Sequence, residues 1–140
     1  MDPDLEYLDT LDDVTPEQLQ GFFVGWPNPP ASSTHYRILQ GSQHFLLARD
    51  RATGKVVGFI TAISDGVLCA YIPLLEVLPA YQHAGIGARL VEDLLTRLAH
   101  LYAVDLLCDA DLQPFYQRFG MRMANGMMVR NYARQAGDAL

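Results

Sequence analysis

Around Gly85 the hydrophobic period of this chain changes, and that change constrains the fold more than any other feature. After it, Ile86, Leu90, Leu94 and Leu98 recur four apart with Val91 and Leu95 beside them, which makes one broad apolar helical face. Before it, apolar and β-branched segments are separated by short polar turns, as strands are. Residues 45–48 are the first segment, turned at Ala52-Thr53-Gly54; residues 56–63 are the second, turned at Ser64-Asp65-Gly66; residues 67–77 are the third. This predicts an antiparallel meander followed by a helix that runs to about His100 and packs on the sheet. A strand over residues 104–107 then follows a helical crossover, so it should lie parallel to the third strand. Pro73 falls in the middle of that third strand. A proline cannot donate to a ladder, so a bulge or a strand splaying from one neighbour is expected there.

Earlier in the chain, Leu5 to Leu8 reads as a short first strand. Thr15-Pro16-Glu17-Gln18 combines an N-cap threonine, a proline at the first helical position and a glutamine at the third. A short helix should follow, burying Leu19, Phe22 and Phe23. Residues 25–30 hold three prolines and the only tryptophan, Trp26, and form a stiff loop. A second short helix is expected over residues 33–39. A last helix over residues 112–119 stops at Gly120, and a strand over residues 127–131 closes the sheet. The fold class is mixed α/β: a mostly antiparallel central sheet with one β-α-β crossover and flanking helices.

The chain has 140 residues, half of them hydrophobic, with a formal net charge of −6. That size suits a single domain with a real core. The acidic balance argues against binding nucleic acid through the overall field. The start, Met1-Asp2-Pro3-Asp4, lacks the basic and apolar regions of a signal peptide, and no apolar run approaches the ~20 residues that span a bilayer. A soluble cytoplasmic protein with no nucleic-acid or membrane partner is expected, and a homodimer is left open. Cys69 and Cys108 are too few and too separated for a zinc site or a redox pair. No metal is expected, and buried free thiols are.

Between the third strand and the long helix stands Gln82-His83-Ala84-Gly85-Ile86-Gly87-Ala88. A glycine-bearing turn that opens a helix directs free N–H groups and the positive end of the helix dipole at one spot. Gly85 and Gly87 have no side chain to hold a phosphate off, so the turn suits a pyrophosphate. A dinucleotide fingerprint needs a third glycine where Leu90 stands, and the Gly-Lys-Ser/Thr of a phosphate-loop NTPase is absent. By itself the turn is equally a tight connection.

Gln82-x-x-Gly85-x-Gly87, preceded by Leu75-Glu76-Val77-Leu78-Pro79, resembles the acetyl-CoA signature Q/R-x-x-G-x-G/A of the GNAT (Gcn5-related N-acetyltransferase) superfamily. Pro114-Phe115-Tyr116-Gln117-Arg118-Phe119-Gly120-Met121 is similar to that superfamily's second motif, and the resemblance is continuous from Phe59 to Asn131. It implies one GNAT-like domain over residues 1–140, with 1–40 as variable acceptor-side helices and 43–132 as the sheet and cofactor-binding core. It also implies transfer of an acetyl group from acetyl-CoA to a small-molecule or peptide amine by direct attack in a ternary complex. The alternative is a non-catalytic acetyl-CoA-binding sensor or interaction domain on the same fold.

The resemblance further implies residue roles. Main-chain groups of Leu75, Glu76 and Val77 would pair with the pantetheine arm, and those of Gln82, His83, Ala84, Gly85, Ile86, Gly87 and Ala88 would hold the pyrophosphate. Tyr116 would protonate the departing thiolate. A base must take the amine proton. Glu76, at the strand end, is the first candidate, with an outward-facing strand carboxylate as its equal alternative. Asp109 and Asp111 come next, with capping of the last helix as the expected job of Asp111. His83 reads as a loop residue near phosphate rather than a base, His35 as a solvent-facing histidine with contact to substrate as its alternative, and Trp26 either as the floor of an acceptor pocket or as a cap on the core. Cys108 has no histidine near it in sequence, which disfavours a covalent route.

Overall fold

A computed structural model describes residues 3–137. Its elements run β1 (Leu5–Leu8), α1 (Ser32–Gly41), β2 (His44–Asp50), β3 (Val56–Ser64), β4 (Cys69–Tyr71), β5 (Leu75–Val77), α2 (Ile86–Arg97), β6 (Ala103–Asp105) and α3 (Gln113–Gln117). The expected first helix is a single 3-10 turn, Pro16–Leu19, in which the Gln18 side chain accepts the Thr15 N–H at 3.1 Å. Leu19, Phe22 and Phe23 are all buried, as expected.

Six strands form one mixed sheet in the order β1-β2-β3-β4-β6, with β5 also on β3. β1, β2 and β3 pair antiparallel, while β6 runs parallel to β4 through the α2 crossover. Register assigns the two faces, because side chains alternate along a strand. Gly58 meets Ile86 and Leu90, so even-numbered β3 positions face α2. Phe59 packs on Phe22, Phe23 and His35, so odd positions face α1. The helical stripe read from the sequence is the buried one: Ile86, Leu90, Val91, Leu94 and Leu98 are each at most 2% exposed. Removing any of these side chains to Ala should cost about 2–5 kcal/mol.

Two expectations about the sheet fail. Cys69 is exposed, whereas the strand pattern around it predicts burial; Cys108 is partly exposed, and both thiols are free. Cys69 lies on the α1 side of the sheet next to Tyr71, past the end of the helical layer, where Ile63 is also half exposed. Residues 127–131 form no strand. Met127, Met128 and Val129 are consecutive apolar residues, a pattern that needs cover on both faces. Beside β6 that cover is incomplete: Tyr71 and Tyr102 are exposed there.

Candidate active site

Pro73 divides what would be one strand. Before it, Ile72 N–H donates to the Asp105 carbonyl (2.9 Å), which ties the end of β4 to β6. After it, the Leu74 carbonyl accepts Thr61 N–H (3.0 Å) and Leu78 N–H donates to Val57 (2.8 Å), which ties β5 to β3. On this antiparallel ladder Leu74, Glu76 and Leu78 turn their main-chain groups toward β3, and Leu75 and Val77 turn theirs away. Among the described residues no strand pairs with that outer edge. The splay expected from Pro73 is therefore present, and it sharpens one assignment: the open main-chain groups are those of Leu75 and the Val77 N–H, while those of Glu76 are engaged on β3 and the Val77 carbonyl accepts from the Gln82 side chain. Between β5 and residues 106–109 lies a cleft of about 550 Å³.

Residues 82–88 lead from the end of β5 into α2. His83 and Gly85 both take left-handed backbone angles, φ 67° and 83°, with Ala84 between them. Alternation of that kind points successive N–H groups to one side and makes an anion-binding concavity. The first intrahelical bond donated in α2 is from Arg89 N–H to the Gly85 carbonyl (3.0 Å), so the N–H groups of Ile86, Gly87 and Ala88 are not used by the helix. No acidic residue occupies that first turn. A Cβ on Gly87 would lie 3.7 Å from Phe115 and 3.8 Å from Val77, which is ordinary contact. Gly87 thus leaves the anion side open without the fold itself requiring glycine. Gln82 donates to the Val77 carbonyl at 3.0 Å and lines the cleft mouth.

Tyr116 enters the cleft from α3, across from β5. Its ring packs edge-on against Phe115 at 5.0 Å. Burial, with a smaller contribution from the Cys108 side chain, pushes its phenol up to about 12. The hydroxyl is therefore a proton carrier at neutral pH, not a phenolate.

Glu76 lines the same cleft and has a second attachment that the sequence did not disclose. Its Oε1 accepts Phe23 N–H at 2.8 Å and its Oε2 accepts Val24 N–H at 3.2 Å. Phe23 is held at a left-handed φ of 63°, rare for a bulky residue. The carboxylate thereby fastens the loop bearing Val24 and Trp26, both of which reach the cleft. The loop's far end is fastened too, because Asn28 N–H donates to Gln135 at 3.0 Å. Contacts across 53 and 107 residues leave no local signature. The positive φ at Phe23 has none either.

The other candidates separate. Asp109 lines the cleft, and Asp109 rather than Asp111 takes the N-cap position of the turn before α3. Asp111 is exposed and His83 is exposed on the turn. His35 is not solvent-facing: it is fully buried on the inner face of α1, 4.3 Å from the Phe59 ring and 5.0 Å from that of Phe23. Trp26 both lines the cleft and packs on Phe23, at 4.9 Å. Cys108 lines the cleft with no histidine beside it in the lining. Among the described residues, the charged side chains of the cleft are Glu76 and Asp109, and no cluster of three or more metal-ligating side chains occurs.

The sequence matches the family described as "Acetyltransferase (GNAT) domain" over residues 10–134, and the chain belongs to that family of acetyltransferases. It is similar to a proposed acetyltransferase of known structure from Deinococcus radiodurans R1, at 50% identity and a TM-score of 0.94, covering 98% of this chain and 95% of that one. A GNAT-family acetyltransferase from Streptococcus pneumoniae TIGR4 superposes with a TM-score of 0.74 at 27% identity, over 91% and 98% of the two chains. A chloroplastic GCN5-related N-acetyltransferase of Arabidopsis thaliana is 38% identical over 83 residues, which is 56% of this chain and 35% of that protein's length. No helix among the described residues is long and apolar enough to cross a membrane.

Proposed function

We propose that this protein transfers the acetyl group of acetyl-CoA to an amine in a ternary complex. The observation that carries the reading is continuity. The open edge of β5 leads directly from the cleft to the turn that opens α2, so one extended ligand could pair with the Leu75 main chain and the Val77 N–H and end its pyrophosphate on the N–H groups of residues 83–88. The residues present fit acetyl-CoA on that ground, and acetyl-CoA would supply an activated carbonyl with a thiolate leaving group.

The rest of the chemistry rests on the chain's own groups. Tyr116, neutral at working pH, donates its phenolic proton or a hydrogen bond as charge develops on sulfur. Glu76 is the proposed base. Each of its oxygens accepts one main-chain N–H, which leaves acceptor capacity for a water that relays the amine proton. Val24 and Trp26 wall the side from which the acceptor enters. With Glu76 and Asp109 as its charged lining, the cleft favours a cationic acceptor, and the Trp26 face can add to that preference.

The direct test is release of free CoA thiol from acetyl-CoA across polyamines, aminoglycosides, amino acids and lysine peptides. Turnover with at least one amine class is expected. Tight acetyl-CoA binding with no turnover across the panel would favour a sensor domain instead.

A further inference from the structure

We propose that Tyr81 is a positioning residue for the anion-binding turn, which it fastens to the rest of the fold through the carboxylate of Asp50; the identity of the anion rests on the acetyl-CoA reading. The Tyr81 hydroxyl donates to Asp50 Oδ2 at 2.9 Å, across 31 residues of chain. Leu78 N–H makes the last bond from the β5 segment to the sheet, on the Val57 carbonyl. From there to α2 the main-chain bonds are local: Tyr81 N–H to Leu78, Gln82 N–H to Pro79, then Arg89 N–H to Gly85. The Gln82 side chain is local too, because it donates to the Val77 carbonyl. Tyr81 thus supplies a long-range tie at the near end of the turn, and the buried Ile86 side chain secures the far end.

Between those ends the backbone is strained. His83 holds a φ of 67° with a full side chain, a conformation that persists only where its surroundings impose it. Gly85 repeats the left-handed angle two residues on, at 83°. The N–H groups of the turn converge on one spot only while both angles are kept. Those groups do little to keep the shape themselves, since the N–H groups of Ile86, Gly87 and Ala88 are not used by the helix. The shape must therefore be imposed from the ends, and the near end lies two residues before His83.

Asp50 suits the part of an anchor. It is buried, and among the described residues no cation pairs with it. Its two oxygens divide the work: Oδ1 accepts Ala52 N–H at 3.0 Å inside the β2–β3 turn, and Oδ2 accepts the distant Tyr81 hydroxyl. That turn is also closed by main-chain bonds, from Asp50 N–H to the Lys55 carbonyl at 2.9 Å and from Gly54 N–H to the Asp50 carbonyl at 2.8 Å. The hairpin is complete without Oδ2, so the bond to Tyr81 serves something other than the hairpin. A hydroxyl on a carboxylate is charge-assisted and stronger than a neutral pair. The same bond pushes the Tyr81 phenol above its usual range, so the donor stays protonated at neutral pH.

The test compares the native chain with Tyr81→Phe and Asp50→Asn. Phe keeps the ring and removes the tie. Asn can keep the tie, because its amide donates to the phenol oxygen while its carbonyl accepts Ala52 N–H. Nitrogen-15 relaxation of the unliganded proteins reads the turn, and calorimetric titration with CoA reads its ligand. Native residues 83–88 should show order parameters of about 0.85, the rigid-backbone value. In Tyr81→Phe they should fall toward about 0.6 over the turn alone, and the Kd for CoA should rise about tenfold, the worth of one hydrogen bond. Asp50→Asn should keep a rigid turn and a Kd within about threefold of the native value. A turn already mobile in the native chain would overturn the proposal, as would an unchanged turn in Tyr81→Phe. A loosened turn with native CoA affinity would overturn it too, because the tie would then be structural only. If the native chain does not bind CoA, the acetyl-CoA reading fails, and the order parameters alone decide whether Tyr81 holds the turn. Should Tyr81→Phe fail to fold, Asp50→Ala set against Asp50→Asn makes the same comparison.

Discussion

Tyr116→Phe keeps the ring that packs on Phe115 and removes only the proton that burial holds in place. The kcat should fall about 10- to 1000-fold with little change in acetyl-CoA affinity, as loss of a general acid usually does. Tyr116→Ala should also destabilise, through lost packing. Full turnover in the Phe variant would leave Tyr116 a packing residue. His35 makes a different kind of prediction. Neither ring nitrogen has a hydrogen-bond partner among the described residues, and burial pushes its pKa down to about 4. The unfolded chain takes up that proton near 6.5 and the native state only near 4. Stability therefore falls as pH drops through that window and is unaffected by this group above it. His35→Leu should flatten the urea midpoint between pH 6.5 and 4; equal slopes in both proteins would assign the acid sensitivity to other groups. Nothing in the sequence shows that this histidine is buried, because α1 carries no strong apolar stripe and its orientation is set by Phe22, Phe23 and Phe59.

The turn before α2 and the split at Pro73 are the elements on which the site depends, and both are legible in the sequence. A glycine with positive φ and a proline that cannot donate act through the backbone, so their consequences are local and appear at fixed offsets. Gly87→Asp should weaken acetyl-CoA binding by about 30-fold or more, since a carboxylate at a helix N-terminus then opposes a bound phosphate across about 2 kcal/mol of dipole interaction. Gly87→Ala should bind within a few-fold of the native chain, because its Cβ fits. Equal affinities for both variants would put the phosphates elsewhere. The strand expected over 127–131 is absent for the opposite reason. An apolar run specifies that cover is needed without specifying which surface supplies it.

At the scale of the whole molecule, the sides of the cleft proposed to hold donor and acceptor come from separate stretches of chain. Acetyl-CoA bound only by the folded state should raise Tm by about 10 °C at a hundred times its Kd, where linkage adds about 2.7 kcal/mol. No shift at millimolar ligand would remove the support given by the turn at α2. The loop that carries Trp26 is fastened at one end by Glu76 and at the other by Gln135, and in the proposed reading its side chains between those points face the acceptor. It is in effect an exchangeable cassette. Trp26→Ala should reorder kcat/KM among amines while KM for acetyl-CoA stays within about two-fold, because uniform donor binding is untouched. Evolution, or a designer, can thus re-specify the acceptor by rewriting a handful of loop positions, leaving the acyl-donor half of the enzyme as it stands.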